Sequence, residues 1–190
     1  VRRRAPRDRC APSCIPPPMT PWQHHRKDRH PRRKKCTIES YRNNSTLPDL
    51  APAALLAIPG ASAYFVGGAV VYTRKAAKGL LGLTADDVVG MRAETEPYAN
   101  LIAGKIRERL RASWGLCESG AAGPSGSGYG DLPGHVCIAV AGPGSRSRTI
   151  ETGLSNRPAN MDIFARQLLS LFDEALQELH PLPPEARRLY

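Results

Sequence analysis

The sequence has little that would suit a membrane protein or a disulfide-linked one. Its longest apolar run, residues 64–72, is broken by Gly67 and Gly68 and is soon followed by Arg74. A bilayer-spanning helix needs about 20 apolar residues, so the run is too short to cross. The five cysteines are odd in number and irregularly spaced, which favours a reducing compartment over a disulfide framework. We therefore expect a cytoplasmic protein without a membrane segment.

The net charge is +10, but this excess of positive charge is confined to the first 36 residues. Residues 1–36 contain 12 Lys or Arg and 2 Asp or Glu, whereas residues 37–190 contain 15 of each. A nucleic-acid-binding domain carries its basic surface on the fold itself, so this distribution argues against nucleic acid as a partner of the domain. Non-specific, salt-dependent binding through the basic segment stays open as an alternative.

Residues 1–35 are rich in Arg, Pro and His and have almost no large apolar side chains. Such a segment cannot bury enough apolar surface to offset the entropy lost on ordering, so we predict a disordered basic tail. A targeting segment is an alternative, which the prolines oppose because they break an amphipathic helix. A second alternative is a zinc site, with ligands from Cys10, Cys14, His24, His25 and His30. The spacing of these residues fits no standard zinc finger.

Segments typical of strands and helices intermix between residues 36 and 180. This pattern predicts an α/β domain, a sheet with helices on both faces, over residues 36–180 and a C-terminal tail over residues 181–190. The strands are predicted at 35–38, 64–72, 116–119, 135–141 and 148–152. The helices are predicted at 50–58, 75–81, 96–110 and 160–179.

A glycine-rich loop, Ser119 to Gly128 (SGAAGPSGSG), follows directly on one predicted strand. Glycines allow backbone N–H groups to approach an anion closely, which favours an anion-binding loop. The loop lacks the Lys-Ser/Thr pair of a Walker motif and the G-x-G-x-x-G order of a dinucleotide-binding fold. A flexible surface loop is therefore the alternative.

Tyr72 ends the predicted strand 64–72, close in sequence to Lys75 and Lys78. A lysine beside a hydroxyl at a strand end can act as a general base when burial lowers its pKa. The alternative is that both lysines lie on the surface at the start of a helix.

Six short motifs occur in order along the chain, and their order and spacing resemble the CinA C-terminal domain family, also called the nicotinamide-nucleotide amidase family. The resemblance covers residues 59 to about 180 closely and residues 36–58 poorly. It implies a stand-alone form, without the large N-terminal domain of full-length CinA proteins. The motifs are PGASAYF (59–65), GAVVYT (68–73), LLG (80–82), ETEP (94–97), GAAGP (120–124) and NR (156–157).

This resemblance implies a three-layer α/β/α sandwich with a mixed sheet. It also implies hydrolysis of the carboxamide of nicotinamide mononucleotide to nicotinate mononucleotide and ammonia, with no cofactor and no metal. Family members commonly self-associate, so a homo-oligomer is a further expectation.

The resemblance also implies roles for eight residues. Ser40 matches the family's serine nucleophile, because Glu39-Ser40 begins the motif Glu-Ser-x-Thr/Ser-Gly-Gly. Tyr72 matches a tyrosine that helps hold the serine and its lysine base, and Lys75 and Lys78 are the lysines near the family position. The matching substrate-binding residues are Ser119, Gly120, Gly123 and Arg157, of which the arginine would contact the phosphate or the carboxamide.

Two departures from the family pattern concern catalysis directly. After Ser40 the chain reads Tyr41-Arg-Asn-Asn-Ser-Thr46 in place of Thr/Ser-Gly-Gly, whose N–H groups would stabilise the oxyanion. The family lysine lies five residues after the tyrosine, and Ala77 occupies that position here. A second hypothesis is therefore a catalytically inactive relative that serves as a nucleotide-binding or structural protein.

Overall fold

The computed structural model describes residues 36–42, by their backbone, and residues 50–179 with their side chains. The predictions for the basic tail, its zinc site and the C-terminal tail lie outside the described residues, and so does the segment 43–49. The division into domain and tails therefore stays a prediction.

Five strands form one mixed sheet in the order β2-β1-β3-β4-β5. Strand β1 runs parallel to both β2 and β3, whereas β3, β4 and β5 pair antiparallel. The predicted mixed sheet is thereby confirmed. The strands are β1 (Cys36–Arg42), β2 (Phe65–Val71), β3 (Trp114–Ala121), β4 (His135–Ala141) and β5 (Arg146–Glu151).

Helices cover both faces of this sheet. They are α1 (Leu50–Leu56), α2 (Arg74–Ala76), which continues as a π-helical turn (Ala77–Leu81), α3 (Glu96–Arg109) and α4 (Arg157–Leu179). Helix α3 and the π-helical turn pack on one face, while α1 and α4 pack on the other. This is the three-layer α/β/α arrangement that the sequence predicts.

The central strands β3 and β4 are buried along their whole lengths, which explains why residues 136–141 of β4 form a continuous apolar run. Their side chains contribute to two hydrophobic cores, one on each face of the sheet. Ile102 and Ile106 of α3 pack on one face, and Phe164 and Leu168 of α4 pack on the other. Burying one such side chain contributes about 1.5–3 kcal/mol, so the two helices fix the sheet between them.

Strand β3 is longer than predicted, because Trp114 and Ala121 extend it beyond the apolar residues that the prediction used. Strand β1 also extends further, to Arg42. Helix α4 begins at Arg157 rather than at Asn160. Asn156 explains the earlier start, since its side-chain oxygen accepts a hydrogen bond from the Ala159 N–H (3.0 Å) and so caps the first turn.

Candidate functional site

The parallel strands β2, β1 and β3 end at one edge of the sheet, where ligands of α/β folds commonly bind. By strand pairing, Ser40 lies between Val70 and the buried Glu118, and the next residue, Tyr41, lies between Val71 and Ser119. The fold therefore brings the backbone of Ser40 close to the strand ends that lead into Tyr72 and the glycine-rich loop. The side chain of Ser40 lies outside the described residues, so its role stays a prediction.

The predicted anion-binding loop begins later than expected, because residues 119–121 belong to β3. Gly120 lies in the strand opposite Val136, where a Cβ atom would lie 2.3 Å from the carbonyl oxygen of His135. Gly123 lies in the loop after β3, where a Cβ atom would lie 2.6 Å from the carbonyl oxygen of Ser155. Gly123 also has a φ of 99°, which side chains rarely adopt, so the start of this loop is close-packed.

Residues 121–127 of this loop and Arg157 enclose a cavity of about 160 Å³, here called the cradle. Arg157 donates from Nη1 to the carbonyl oxygen of Gly123 (2.9 Å). Its Nη2 atom is buried and has no hydrogen-bond partner among the described residues. A buried guanidinium nitrogen without a partner is costly, and Arg157 also brings the only formal charge among the residues that line the cradle.

Asn160 holds the cradle in place from the first turns of α4. Its fully buried amide donates to the carbonyl oxygens of Ala122 (2.9 Å) and Leu154 (2.8 Å). It also accepts a hydrogen bond from the Thr152 hydroxyl (2.5 Å). The sequence interpretation missed Asn160, although its position three residues after Arg157 places both on one side of a helix.

Ser119 lies next to the cradle in sequence but has a different contact. It is fully buried, and its hydroxyl accepts a hydrogen bond from the backbone N–H of Glu94 (3.2 Å). It does not line the cradle. In the free protein Ser119 therefore positions the segment that precedes α3, and its contact with substrate stays a prediction.

The residues after β2 surround a separate and larger cavity. Tyr72 is half-buried, and Lys75 and Lys78 are both exposed. Lys78 and the buried Ala77 line a cavity of about 540 Å³, here called the large cavity, which Lys75 does not line. The structure thus groups Gly123 with Arg157 and groups Lys78 with Ala77, and the two groups share no lining residue.

A polar network between β4, β5 and the start of α3 was not predicted. Glu94 is 1% exposed and has a φ of 63°, and burial raises the pKa of its carboxyl group. His135 Nε2 donates to the carbonyl oxygen of Glu94 (2.9 Å), and His135 Nδ1 lies 2.5 Å from Glu151 Oε1. Burial lowers the pKa of His135, but these two contacts outweigh it and raise the pKa overall.

Arg92 and Asp131 extend this network to the glycine-rich loop. Their side chains form two hydrogen bonds, Nη1 to Oδ2 (2.5 Å) and Nη2 to Oδ1 (2.8 Å). The guanidinium group of Arg92 holds the pKa of Asp131 well below its usual range. Glu94 belongs to the ETEP motif, to which the sequence interpretation gave no role. The spacing of the motif does not reveal that the Glu94 side chain is buried.

A mixed sheet between helical layers defines this chain as an α/β/α protein, with the cradle at the ends of its parallel strands. The sequence profile of the CinA C-terminal domain matches residues 50–176. The chain therefore belongs to the CinA C-terminal domain family, which confirms the predicted resemblance.

Curated relatives carry the name CinA-like protein. One from Prochlorococcus marinus is 41% identical over 91 residues, which cover 48% of this chain and 21% of that protein. Another, from Desulforapulum autotrophicum, is 32% identical over 133 residues, which cover 70% of this chain and 31% of that protein. The matched region thus spans between a fifth and a third of these relatives.

Solved structures share the fold at lower identity. The competence damage-inducible protein A from Klebsiella pneumoniae superposes with a TM-score of 0.68 at 21% identity, over 80% of this chain and 90% of that one. The competence/damage-inducible protein from Agrobacterium tumefaciens gives 0.66 at 23% identity, over 75% and 85%. These likenesses support the α/β/α fold.

Within residues 36–42 and 50–179, no helix is long and apolar enough to cross a membrane. The same part of the chain contains no group of three or more His, Cys, Asp or Glu side chains that could hold a metal ion.

Proposed function

We propose that the chain is an amidohydrolase that converts nicotinamide mononucleotide to nicotinate mononucleotide and ammonia. The cradle is the observation that carries this proposal. A phosphate or carboxamide oxygen placed there would lie beside the positively charged side chain of Arg157, which lines the cradle. Backbone N–H groups of a glycine-rich turn are suited to the same group.

The proposed chemistry begins with Ser40, whose backbone lies at the same sheet edge as the cradle loop. Its hydroxyl oxygen attacks the carboxamide carbon, and a lysine amine takes the hydroxyl proton. That proton then passes to the leaving nitrogen, so the C–N bond breaks and ammonia departs. Water hydrolyses the resulting ester, which releases the carboxylate product and restores Ser40.

Lys75 and Lys78 are the candidate bases, since both follow Tyr72 at the end of β2. Lys78 lines the large cavity and Lys75 does not. We therefore propose Lys78 as the base that a bound ligand would cover, and burial by that ligand would favour its neutral form.

A second candidate function is nucleotide binding without amide hydrolysis. Ala77 supports it, because it occupies the position of the family lysine and is 2% exposed. Both remaining lysines are exposed before a ligand binds. In this candidate the cradle still binds the phosphate, but no amine accepts the serine proton.

The two candidates are separated by measuring ammonia release and binding of nicotinamide mononucleotide on the full chain. The amidase predicts turnover that Ser40→Ala abolishes, with binding retained within about threefold because the cradle is intact. Ser170→Ala, an exposed change on α4, is the matched control and should retain full activity.

Binding without turnover in the unmodified chain would establish the second candidate. Neither binding nor turnover would reject both. Arg157→Met should weaken binding by about tenfold or more in either case, since a charge-assisted hydrogen bond to the ligand is lost.

A further inference from the structure

The two outermost strands of the sheet differ in charge. Strand β5 carries Arg146, Arg148 and Glu151. Its two arginines form ion pairs with Glu178 and Glu174 of α4. Strand β2 (FVGGAVV) contains no charged residue and no proline. Because charged side chains and proline commonly protect a sheet edge from pairing with a further strand, the β5 side of the sheet is protected and the β2 side is not.

The outer edge of β2, here called the β2 edge, is the unprotected one. Within residues 36–42 and 50–179, β2 pairs with β1 alone, so no described strand lies along its other side. A strand edge of this kind presents a row of backbone N–H and C=O groups. Another extended backbone offers donors and acceptors at the matching spacing, so the partner that fits this surface is a β-strand.

Apolar side chains flank the β2 edge. Val66 and Val70 are 40% and 51% exposed, although valine is usually buried. They lie on one face of the strand with Gly68 between them, since side chains alternate along a strand. Ala69 and Val71 pack on the α3 face of the sheet, so the two exposed valines lie on the opposite face, which α1 partly covers.

The end of α1 continues this apolar surface. The Tyr64 hydroxyl donates to the carbonyl oxygen of Leu55 (2.5 Å), which ties the end of α1 to the start of β2. Leu56 and Ile58 follow and are both more than half exposed. Residues 50–73 contain no charged side chain. Clustered apolar exposure of this kind marks a protein–protein contact, and no charge opposes the approach of a second copy.

The sequence of β2 is nearly symmetric about its central residue, Gly68. In an antiparallel pair of two β2 strands centred there, Val66 lies opposite the partner's Val70 on both sides of the axis. The small residues Gly67 and Ala69 also lie opposite each other, and Gly68 lies opposite its own copy. A two-fold interface requires a surface that complements itself, and this register pairs apolar with apolar and small with small.

We propose that the β2 edge is a self-association surface, at which two copies of the chain pair their β2 strands antiparallel about Gly68. The two five-stranded sheets then join into one continuous sheet. The exposed ends of the two α1 helices lie beside the new strand pair. The expected homo-oligomer thereby has a specific interface, which does not depend on amide hydrolysis.

The first test measures the molar mass of the full chain by sedimentation equilibrium. Samples span about 1–200 µM at about 0.15 M salt, which screens the basic residues 1–36. We expect a monomer–dimer equilibrium with a dissociation constant of about 10–100 µM, because one strand pair with its flanking side chains is a small interface. A monomer at every concentration would overturn the proposal.

Val70→Lys should weaken the dimer by about tenfold or more, because each copy brings an ammonium group to the strand pair. Val89→Lys is the matched control, since Val89 is exposed in the connection before α3, and it should leave the dimer unchanged. Circular dichroism melts check that both variants are folded. An equal effect of the two changes would overturn the proposal. A loss of stability in Val70→Lys without a change in mass would show that the chain's own residues cover the β2 edge, which overturns it as well.

Gly68→Cys tests the register. Opposed residues of antiparallel strands have Cα atoms about 4.5–5.5 Å apart, within reach of a disulfide, so mild oxidation should link two copies through residue 68. Val70→Cys faces the partner's Val66 instead and should form at least about fivefold less of its own link. Peptide mass spectrometry separates these links from any through native cysteines. Equal linkage in the two variants would overturn the proposed register. None of these readouts uses nicotinamide mononucleotide, so they stand apart from the test of the proposed function.

Discussion

The end of β3 with the loop that follows it lies at the same edge of the sheet as the turn after β2, but the two regions constrain their residues very differently. Added Cβ atoms on Gly120 and Gly123 would collide with backbone atoms, whereas one on Gly79 would meet nothing within 4 Å. Arg157 and Asn160 are hydrogen-bonded to the loop after β3, whereas Lys75 and Lys78 are exposed on the turn after β2.

The sequence follows its family's pattern in the first of these regions and departs from it in the second. The resemblance holds at Gly120, Gly123 and Arg157, where a substitution would disturb close packing or a buried cation. It fails at Ala77, which lines the large cavity but is 2% exposed and packs in the core on the α3 face of the sheet.

The largest effect is expected for Gly120→Ala. The new methyl group would lie 2.3 Å from the His135 carbonyl oxygen and 2.6 Å from Val136 Cα, so β3 and β4 would have to separate locally. We expect a loss of about 3 kcal/mol in the free energy of unfolding, measured with urea.

Gly79→Ala is the matched substitution in the turn after β2. Its methyl group has open space and reduces the entropy of the unfolded chain, so a gain of about 0.5 kcal/mol is expected. Similar losses in both variants would show that the two regions are equally constrained.

The sequence predicts the layers and the loop better than it predicts the chemistry. Continuous apolar runs such as residues 136–141 and the spacing of Ile102 and Ile106 report burial directly, so sheet and helices follow from them. The glycines at 120 and 123 likewise report a close backbone approach that the structure contains.

Contacts between distant segments were not predictable. Glu94 meets Ser119 and His135 because the start of α3 packs against β3 and β4, and no local pattern carries that pairing. The large cavity is similarly formed by segments from residue 74 to residue 129. Spacing could place Lys78 beside Tyr72, but it could not show that Ala77 and Tyr129 share one cavity.

A smaller effect is expected when a lysine is placed at the family position. Ala77→Lys directs an amine into the large cavity, where partial burial lowers the pKa of the ammonium group and favours the neutral base. We expect ammonia release from nicotinamide mononucleotide to rise by about tenfold, less than the roughly 100-fold or more that a fully positioned general base contributes.

Ala76→Lys is the control, because one helical step turns the side chain by about 100°, and Ala76 does not line the large cavity. Ser40→Ala in the Ala77→Lys background should remove the gain. An equal rise in the Ala76 variant would mean that added charge, not a positioned base, is responsible.

The smallest effect concerns the buried Glu94, which contacts the end of β3 and the loop that follows it. Its carboxyl group faces Ser127, Asp131 and His135, and burial raises its pKa above the ordinary 4.5. A raised acid pKa means that the folded state prefers the neutral form. The stability contributed by Glu94 is therefore complete below pH 4.5 and is lost as the pH rises through the higher, folded-state value.

Glu94→Gln keeps a neutral side chain of the same shape at every pH. We expect the unfolding free energy of the unmodified protein to fall relative to this variant as the pH rises from about 4.5 towards 8, measured by urea titrations at matched salt. Glu108→Gln, an exposed change on α3 at a residue without an ion pair in the described part of the chain, corrects for the loss of one charge. A constant difference across that range would mean that Glu94 ionises as easily in the folded chain as in the unfolded one. The polar network would then fully offset the cost of burying the carboxylate.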